Sequence, residues 1–233
     1  AVMKARAGYV VGYNAQAVVD AKAQIVVAAD VVSSASDGAQ LLPMLAEAKA
    51  MTGRQAVVAA ADSGYFDIGA IVEAEETGIQ VFVPKPRRAQ AKGAERYAKA
   101  NFVYDAQSDT YTCPEGKTLV FTSERPEHHG KPKVTRIYRG RECQGCPALA
   151  NKLCTSSAAG RTVHRYEHDA DLPGYLERLH SERGRELTRW RSGTVEPLFA
   201  STKERLGMLR FLLRGLLNAK GEWYLTCAVH NLL

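Results

Sequence analysis

The chain has 233 residues, of which 45% are hydrophobic and 24% are charged, and its formal net charge is +6. This composition excludes a disordered polypeptide, and the length allows one large core with an insertion or two small domains. The longest apolar runs, such as 26–29 and 57–61, are far shorter than the ~20 residues that cross a bilayer, which excludes a membrane-spanning helix.

The first part of the chain predicts an alternation of strands and helices. Residues 9–19 and 24–32 are rich in β-forming residues, and the intervening Asp20-Ala-Lys-Ala indicates the turn of an antiparallel hairpin. Asp37 precedes a segment of helical periodicity and has the position of a helix cap. After the hairpin, the predicted elements are a helix at 39–51, a strand at 55–61, a helix at 66–77 and a strand at 79–83. This order is typical of an α/β fold with a mixed sheet.

The remainder of the chain differs in composition. Residues 101–165 contain short predicted strands at 102–104, 118–122 and 134–138 and four of the five cysteines, which indicates a compact insertion with a core too small to fold unaided. The segment that follows is predicted to be helical, with breaks near Ser192-Gly193 and around 215–221. The predicted division is a first part of the core at 1–86, a basic linker at 87–100, the insertion at 101–165 and a helical part of the core at 166–233.

Positive charge is concentrated in two segments. Six Lys or Arg stand against one Glu in 85–99, and nine against four Glu in 178–214. Such local excess suits a polyanionic partner, because cations near phosphates release counterions. Two solvated basic faces are the alternative interpretation.

Two acidic residues are candidates for chemistry. Asp62 ends an apolar strand, and catalytic groups in open α/β sheets collect at the carboxyl ends of strands. An Asp that caps the following turn is the alternative. Glu196 and Lys203 are about two helical turns apart and project from one side of a helix. They would suit a metal and a phosphate respectively, or else belong to an ordinary amphipathic surface helix.

Three segments together resemble the DDE transposases of bacterial insertion sequences, in particular members with a cysteine-bearing insertion before the final Glu. The segments are Gly12-Tyr-Asn-Ala-Gln-Ala-Val-Val-Asp20, Ala61-Asp-Ser-Gly-Tyr-Phe66, and Thr194-Val-Glu-Pro-Leu-Phe199 with Lys203 and Leu206-Gly207. The resemblance implies a ribonuclease-H-like mixed sheet flanked by helices, in which two Asp and one Glu hold two Mg²⁺ or Mn²⁺ ions. It also implies DNA as the partner (transposon ends and target), a homodimer that handles both ends, and a nucleoid-associated location in the bacterial cytoplasm.

The resemblance assigns roles to individual residues. Asp62 matches the second Asp, Glu196 the Glu, and Lys203 the Lys that contacts DNA near the transposon end. The family often has a Tyr and an Arg before its Glu. Here Arg189 and Ser192 occupy those positions, with Arg191 one position away, so Arg189 and Arg191 are the further candidates for DNA binding.

The first Asp of the family's triad lies on a strand before the hairpin, so we expect it upstream of residue 1. Asp20 is the candidate within the chain, although its place at the hairpin tip favours a turn role. Without that first carboxylate the site would bind metal poorly, and the chain alone would be inactive.

The cysteines form a separate pattern. Cys143-x2-Cys146 has the spacing of a zinc knuckle, and Cys113 and Cys154 would complete four thiolates around a tetrahedral Zn²⁺. Four reduced thiols around a small core are the alternative. Two functions therefore remain open: a transposase catalytic domain, and a remnant without catalysis that binds DNA or a partner through its basic helices and zinc knuckle.

Overall fold

The computed structural model describes residues 2–5, 8–86, 95–126 and 134–233. The chain divides into two compact units. The core unit comprises Ala1–Pro86 and Asp171–Leu233, and the insertion unit comprises Arg87–Ala170. Part of the predicted basic linker, 87–94, lies outside the described residues.

The first half of the core unit is a mixture of strands and helices. Its elements are β1 (Val2–Ala5), β2 (Gly8–Val11), β3 (Asn14–Val19), β4 (Val26–Val32), α1 (Leu41–Thr52), β5 (Val58–Ala60), α2 (Ile68–Glu76) and β6 (Gln80–Phe82). The strands pair antiparallel in β1–β2 and β3–β4 and parallel in β5–β6. Among the described residues these pairs form three separate two-stranded sheets. The α/β class is confirmed, whereas a single mixed sheet is not formed by these residues.

The hairpin predicted at 9–19 and 24–32 is shorter than expected. Its first strand is divided at Gly12-Tyr13, so that residues 8–11 pair with β1 while 14–19 pair with β4. A single strand at 9–19 was expected because the sequence is β-rich on both sides of Gly12-Tyr13. The strand ends there because its two halves pair with different strands, which the local pattern does not reveal.

The insertion unit is built on an antiparallel sheet. Its elements are β7 (Val103–Asp105), β8 (Thr110–Thr112), β9 (Thr118–Pro126), β10 (Val134–Gly140), the short helix α3 (Pro147–Ala150) and β11 (Thr162–Tyr166). The five strands lie in the order β11-β10-β9-β8-β7. Aromatic residues dominate its core, where Tyr111 and Tyr138 pack edge to face with their ring centroids 5.0 Å apart. This packing supplies much of the apolar burial of a small unit.

Three helices complete the core unit: α4 (Leu172–His180), α5 (Glu182–Glu204) and α6 (Leu216–Leu232). The predicted break at Ser192-Gly193 is wrong, because α5 is continuous through it. Buried Thr194, Leu198 and Thr202 recur at helical spacing immediately after Gly193, and their packing outweighs the ~1 kcal/mol helix penalty of a glycine. The second predicted break, around 215–221, lies too late in the chain. The helices are interrupted at 205–215, and α6 begins directly after its N-cap Gly215 and contains Gly221.

The core unit holds two apolar clusters that fix its helices. The first is formed by β6 and α2 with Tyr175 of α4, whose hydroxyl donates to the Val83 carbonyl oxygen at 2.8 Å and accepts from the Val83 amide at 2.7 Å. The second joins Leu198 of α5 to Trp223 and Cys227 of α6 and to the β3–β4 hairpin. No helix among the described residues is both long and apolar enough to cross a membrane.

Candidate active site

Asp62 lies where the sequence predicts it, two residues after β5. The parallel pairing continues to Ala61, whose amide donates to the Phe82 carbonyl oxygen at 3.1 Å. Asp62 Oδ1 then accepts a hydrogen bond of 2.7 Å from the Gly64 amide and caps a short 3-10 turn at Ser63–Tyr65. The residue is also exposed. The turn-cap interpretation is therefore correct, and it leaves the carboxylate accessible to a ligand.

Asp37 does not have the helix-capping role that its position suggests. Helix α1 begins after Gln40 without a side-chain cap. The Asp37 carboxylate is instead directed at strand β3, where its Oδ1 accepts hydrogen bonds from Asn14 Nδ2 at 2.5 Å and Gln16 Nε2 at 2.8 Å. The partners are 23 and 21 residues away in sequence, so local capping preferences could not reveal them. The available signal was the pair Asn14 and Gln16, two polar residues on one face of an otherwise apolar strand.

Gly64 brings the two aspartates together. A Cβ atom at this residue would lie 2.7 Å from Asp37 Oδ2 and 2.9 Å from Asp62 Oδ1. Both carboxylates therefore flank the same glycine, and no other residue type fits there without displacing one of them. The Asp-Ser-Gly segment thus predicts more than a turn, since the absence of a side chain makes room for a second acidic group.

Tyr65 ties this turn to the hairpin. Its hydroxyl donates to Gln16 Oε1, and Gln16, although polar, is only 1% exposed. Burial, and then the negative charges of Asp37 and Asp62, raise the pKa of Tyr65 well above its usual range. The hydroxyl therefore keeps its proton and remains a donor at all physiological pH values.

Glu196 and the candidate DNA-binding residues all lie on α5. The Glu196 side chain is 70% exposed, and its Oε1 lies 3.8 Å from Arg191 Nη2. Arg189 and Lys203 are exposed on the same helix. Helix α5 packs on both core clusters, through Leu187 on the β5–β6 side and Leu198 on the hairpin side. It therefore contacts both the strand pair that precedes Asp62 and the hairpin that carries Asn14 and Gln16.

The structure does not join Glu196 directly to Asp62. Within the described ranges, no hydrogen bond or ion pair connects them, and no three Asp, Glu, His or Cys side chains form a group that could hold a metal ion. Asp20 is at the hairpin tip, where its Oδ1 accepts from the amides of Lys22 at 3.0 Å and Ala23 at 2.6 Å. Its carboxylate thus serves the turn.

The four clustered cysteines line one small cavity in the insertion unit. Cys113 Sγ accepts from the Lys117 amide at 3.4 Å, and Cys143 and Cys146 flank a turn in which Gly145 has φ of 77°. Burial raises the pKa of Cys154, Arg161 opposes the shift, and the other three cysteines add to it. Although they share a cavity, the thiols are not gathered into a metal-holding group in the described structure.

The comparison with known families identifies the chain. A family model described as a transposase DDE domain matches residues 3–144, and a second model with the same description matches residues 112–233. Each match covers more than half of the chain.

The chain belongs to the DDE transposases. The first match includes Asp37 and Asp62, and the second includes Glu196 and all four clustered cysteines. Searches of curated proteins and of solved structures found no match. DDE transposases act on DNA and generally use divalent ions such as Mg²⁺, so DNA is a partner of this protein.

Proposed function

We propose that this DDE transposase catalyses Mg²⁺-dependent phosphodiester hydrolysis and strand transfer at transposon ends, with Asp62 and Glu196 as metal ligands. The observation that carries the proposal is the placement of Asp62. It is an exposed carboxylate at the carboxyl end of β5, in the unit where α5 packs on β5 and also presents an exposed Glu196. The order of hairpin, helix, strand, helix and strand before α5 supports a ribonuclease-H-like arrangement of the core unit.

The donor chemistry of these residues fits the metal. Mg²⁺ prefers carboxylate oxygen over nitrogen or sulfur, and both candidate side chains are exposed carboxylates. Two bound ions would activate the attacking oxygen and stabilise the leaving oxygen of the phosphodiester. The proposal also requires a further ligand, because no described group of three such side chains holds a metal by itself. The resemblance to the family assigns that ligand to another Asp.

The cations of α5 suit the DNA backbone. Arg189 and Lys203 are exposed on the helix that carries Glu196, and a cation that contacts a phosphate contributes through counterion release. Arg191 lies beside the Glu196 carboxylate, where it limits repulsion between that group and an approaching phosphate. A homodimer would allow two transposon ends to be processed together on the bacterial nucleoid.

A structural zinc site in the insertion unit is a separate proposal. Its support is that Cys113, the Cys143-x2-Cys146 segment and Cys154 meet at one cavity from three places in the sequence. As they lie here the thiols do not form a metal-holding group, so zinc binding would require them to rearrange. Four protein ligands leave no open position, so this metal would stabilise the unit and take no part in catalysis.

A protein that bound DNA through such a unit but lacked nicking activity would be the non-catalytic alternative.

The test is nicking of duplex DNA by the full-length protein in Mg²⁺ or Mn²⁺, the parent protein of every experiment below, compared with its Asp62→Asn and Glu196→Gln variants. Each variant keeps the shape of the side chain and removes the charge. We expect a loss of more than about 100-fold, beyond the 10–100-fold typical of outer-shell partners.

Matched controls are Glu186→Gln, an exposed glutamate on the same helix, and Asp30→Asn, a half-buried aspartate paired with Lys220. Both controls should nick like the parent protein. Unchanged nicking in either site variant rejects the assignment of that residue. DNA binding without nicking by the parent protein supports the non-catalytic alternative.

A further inference from the structure

Asp37 has no role in the site predicted from the sequence, yet it is the acidic group that shares Gly64 with Asp62. Its Oδ1 is engaged by two amides, whereas its Oδ2 faces the glycine between the two carboxylates. Two like charges this close are unfavourable unless a cation or donors compensate. The amides of Asn14 and Gln16 supply donors to one oxygen only.

A hydrogen-bonded network connects Asp37 to the Asp62 turn. Gln16 donates to Asp37 through Nε2 and accepts from the Tyr65 hydroxyl through Oε1. Gln16 is itself held from the backbone side, because its carbonyl oxygen accepts from Trp223 Nε1 at 2.8 Å. The Tyr65 amide donates to the Asp62 carbonyl oxygen at 3.2 Å. Strand β3, the loop before α1 and the turn after β5 are therefore fastened together around Asp62.

We infer that Asp37 is a positioning residue of the metal centre, which orients the Asp62 turn through Gln16 and Tyr65 and raises the affinity of that turn for divalent cations by its negative charge. The inference rests on the proposed role of Asp62 as a metal ligand. It assigns no coordination bond to Asp37. Loss of Asp37 should therefore raise the Mg²⁺ concentration that the reaction requires and leave the nicking rate at saturating Mg²⁺ nearly unchanged.

The variant Asp37→Asn tests this directly. The substituted side chain still offers an oxygen to Asn14 and Gln16, but it lacks the charge and can turn its amide group toward Asp62. We expect the Mg²⁺ concentration for half-maximal nicking to rise about 10-fold, within the range measured for outer-shell partners. The nicking rate at saturating Mg²⁺ should return to within about twofold of the parent protein. Binding of Mn²⁺, followed by the electron paramagnetic resonance of the free ion, should weaken by the same factor.

Asn14→Ala is the second variant, since it removes one of the two amides that orient Asp37 without changing any charge. It should shift the Mg²⁺ midpoint in the same direction by a smaller factor. Asp30→Asn, an aspartate on β4 held by Lys220, should leave the midpoint unchanged. Thermal unfolding of each variant separates a loss of folded protein from a loss of metal affinity.

The outcomes distinguish this inference from the proposed function. If Asp62→Asn abolishes nicking and Mn²⁺ binding while Asp37→Asn and Asn14→Ala keep the parent midpoint, Asp37 has no positioning role and Asp62 keeps its own. Asp37 likewise has no positioning role if Asp37→Asn lowers nicking equally at every Mg²⁺ concentration and Asn14→Ala keeps the parent Mg²⁺ midpoint. If Asp62→Asn keeps the nicking activity and the Mn²⁺ affinity of the parent protein, then neither the metal-ligand role of Asp62 nor the positioning role of Asp37 is correct.

Discussion

The two units present potential ligands in opposite ways. In the core unit, Asp62 and Glu196 are exposed carboxylates on the end of a strand and on a helix. In the insertion unit, three half-buried thiols and the buried thiol of Cys146 line a small cavity. Exposed oxygens suit a hard cation that must keep positions open for substrate, whereas buried and half-buried sulfurs suit a softer cation that is closed off from it. If both proposed metal sites form, the chain separates catalysis from structural stabilisation by ligand type and by burial.

The largest expected effect is on the zinc content of the insertion unit, and a protein without zinc would break this comparison. If the insertion unit binds Zn²⁺, its removal should unfold that unit, since apparent binding energies of structural zinc are about 10–16 kcal/mol. We expect the parent protein to purify with stoichiometric zinc under reducing conditions and Cys146→Ser to purify without it. Zinc content is measured by plasma mass spectrometry.

Cys227→Ala is the control for that experiment. Burial in α6 raises the pKa of Cys227 to about 12, so it stays a thiol and should not contribute a ligand. A parent protein without zinc would leave four reduced thiols as the correct interpretation of the cavity.

The next largest effect concerns the packing of α5. Leu198 is 1% exposed and joins this helix to the hairpin and α6. Its truncation to Ala should lower the free energy of unfolding by about 2–5 kcal/mol through lost burial and a cavity. Urea unfolding measures the loss. Leu209→Ala, at a leucine that is 79% exposed, should change stability little, and an equal loss in both would show that α5 does not depend on this contact.

Tyr65→Phe should have an intermediate effect. The change removes the hydroxyl that donates to Gln16 Oε1, and Gln16 is only 1% exposed. A buried acceptor left without a donor lowers the free energy of unfolding by about 1–3 kcal/mol. The same urea unfolding experiment applies, with Tyr224→Phe, a tyrosine that is 44% exposed, as the matched control. Unchanged stability would mean that the Gln16 network does not hold the Asp62 turn.

The smallest effect should come from Asp20→Ala. Two backbone amides at the hairpin tip lose their acceptor, which by analogy with lost helix caps should cost about 0.5–2 kcal/mol. Nicking at saturating Mg²⁺ should not change in the protein that remains folded. A loss of nicking comparable to that of Asp62→Asn would restore Asp20 as a catalytic candidate.

Much of the core unit could be predicted because its signals are local. Helical periodicity located α1 and α2, and the continuous apolar run located β5 and thereby the exposed position of Asp62. The break predicted at Ser192-Gly193 does not form, because the packing of Thr194 and Leu198 outweighs the local preference of glycine. Local propensity cannot account for a contact that forms only when the chain folds.

The neighbourhood of Asp62 was only half predictable for the same reason. Asp37 lies before α1, where a helix cap is the usual role, and its actual partners are on β3. The polar face made by Asn14 and Gln16 indicated that something polar would pack against that strand, but the sequence did not identify what. Tertiary hydrogen bonds between distant segments decided it.

The most direct test of the central claim is a crystal structure of the protein with Mn²⁺, in which anomalous scattering locates the ion. We expect an ion bound by carboxylate oxygens of both Asp62 and Glu196, at about the 2.1 Å typical of a hard divalent ion with oxygen ligands. An ion bound to Asp62 with Glu196 remote from it, or no ion at Asp62, would contradict the proposed active centre.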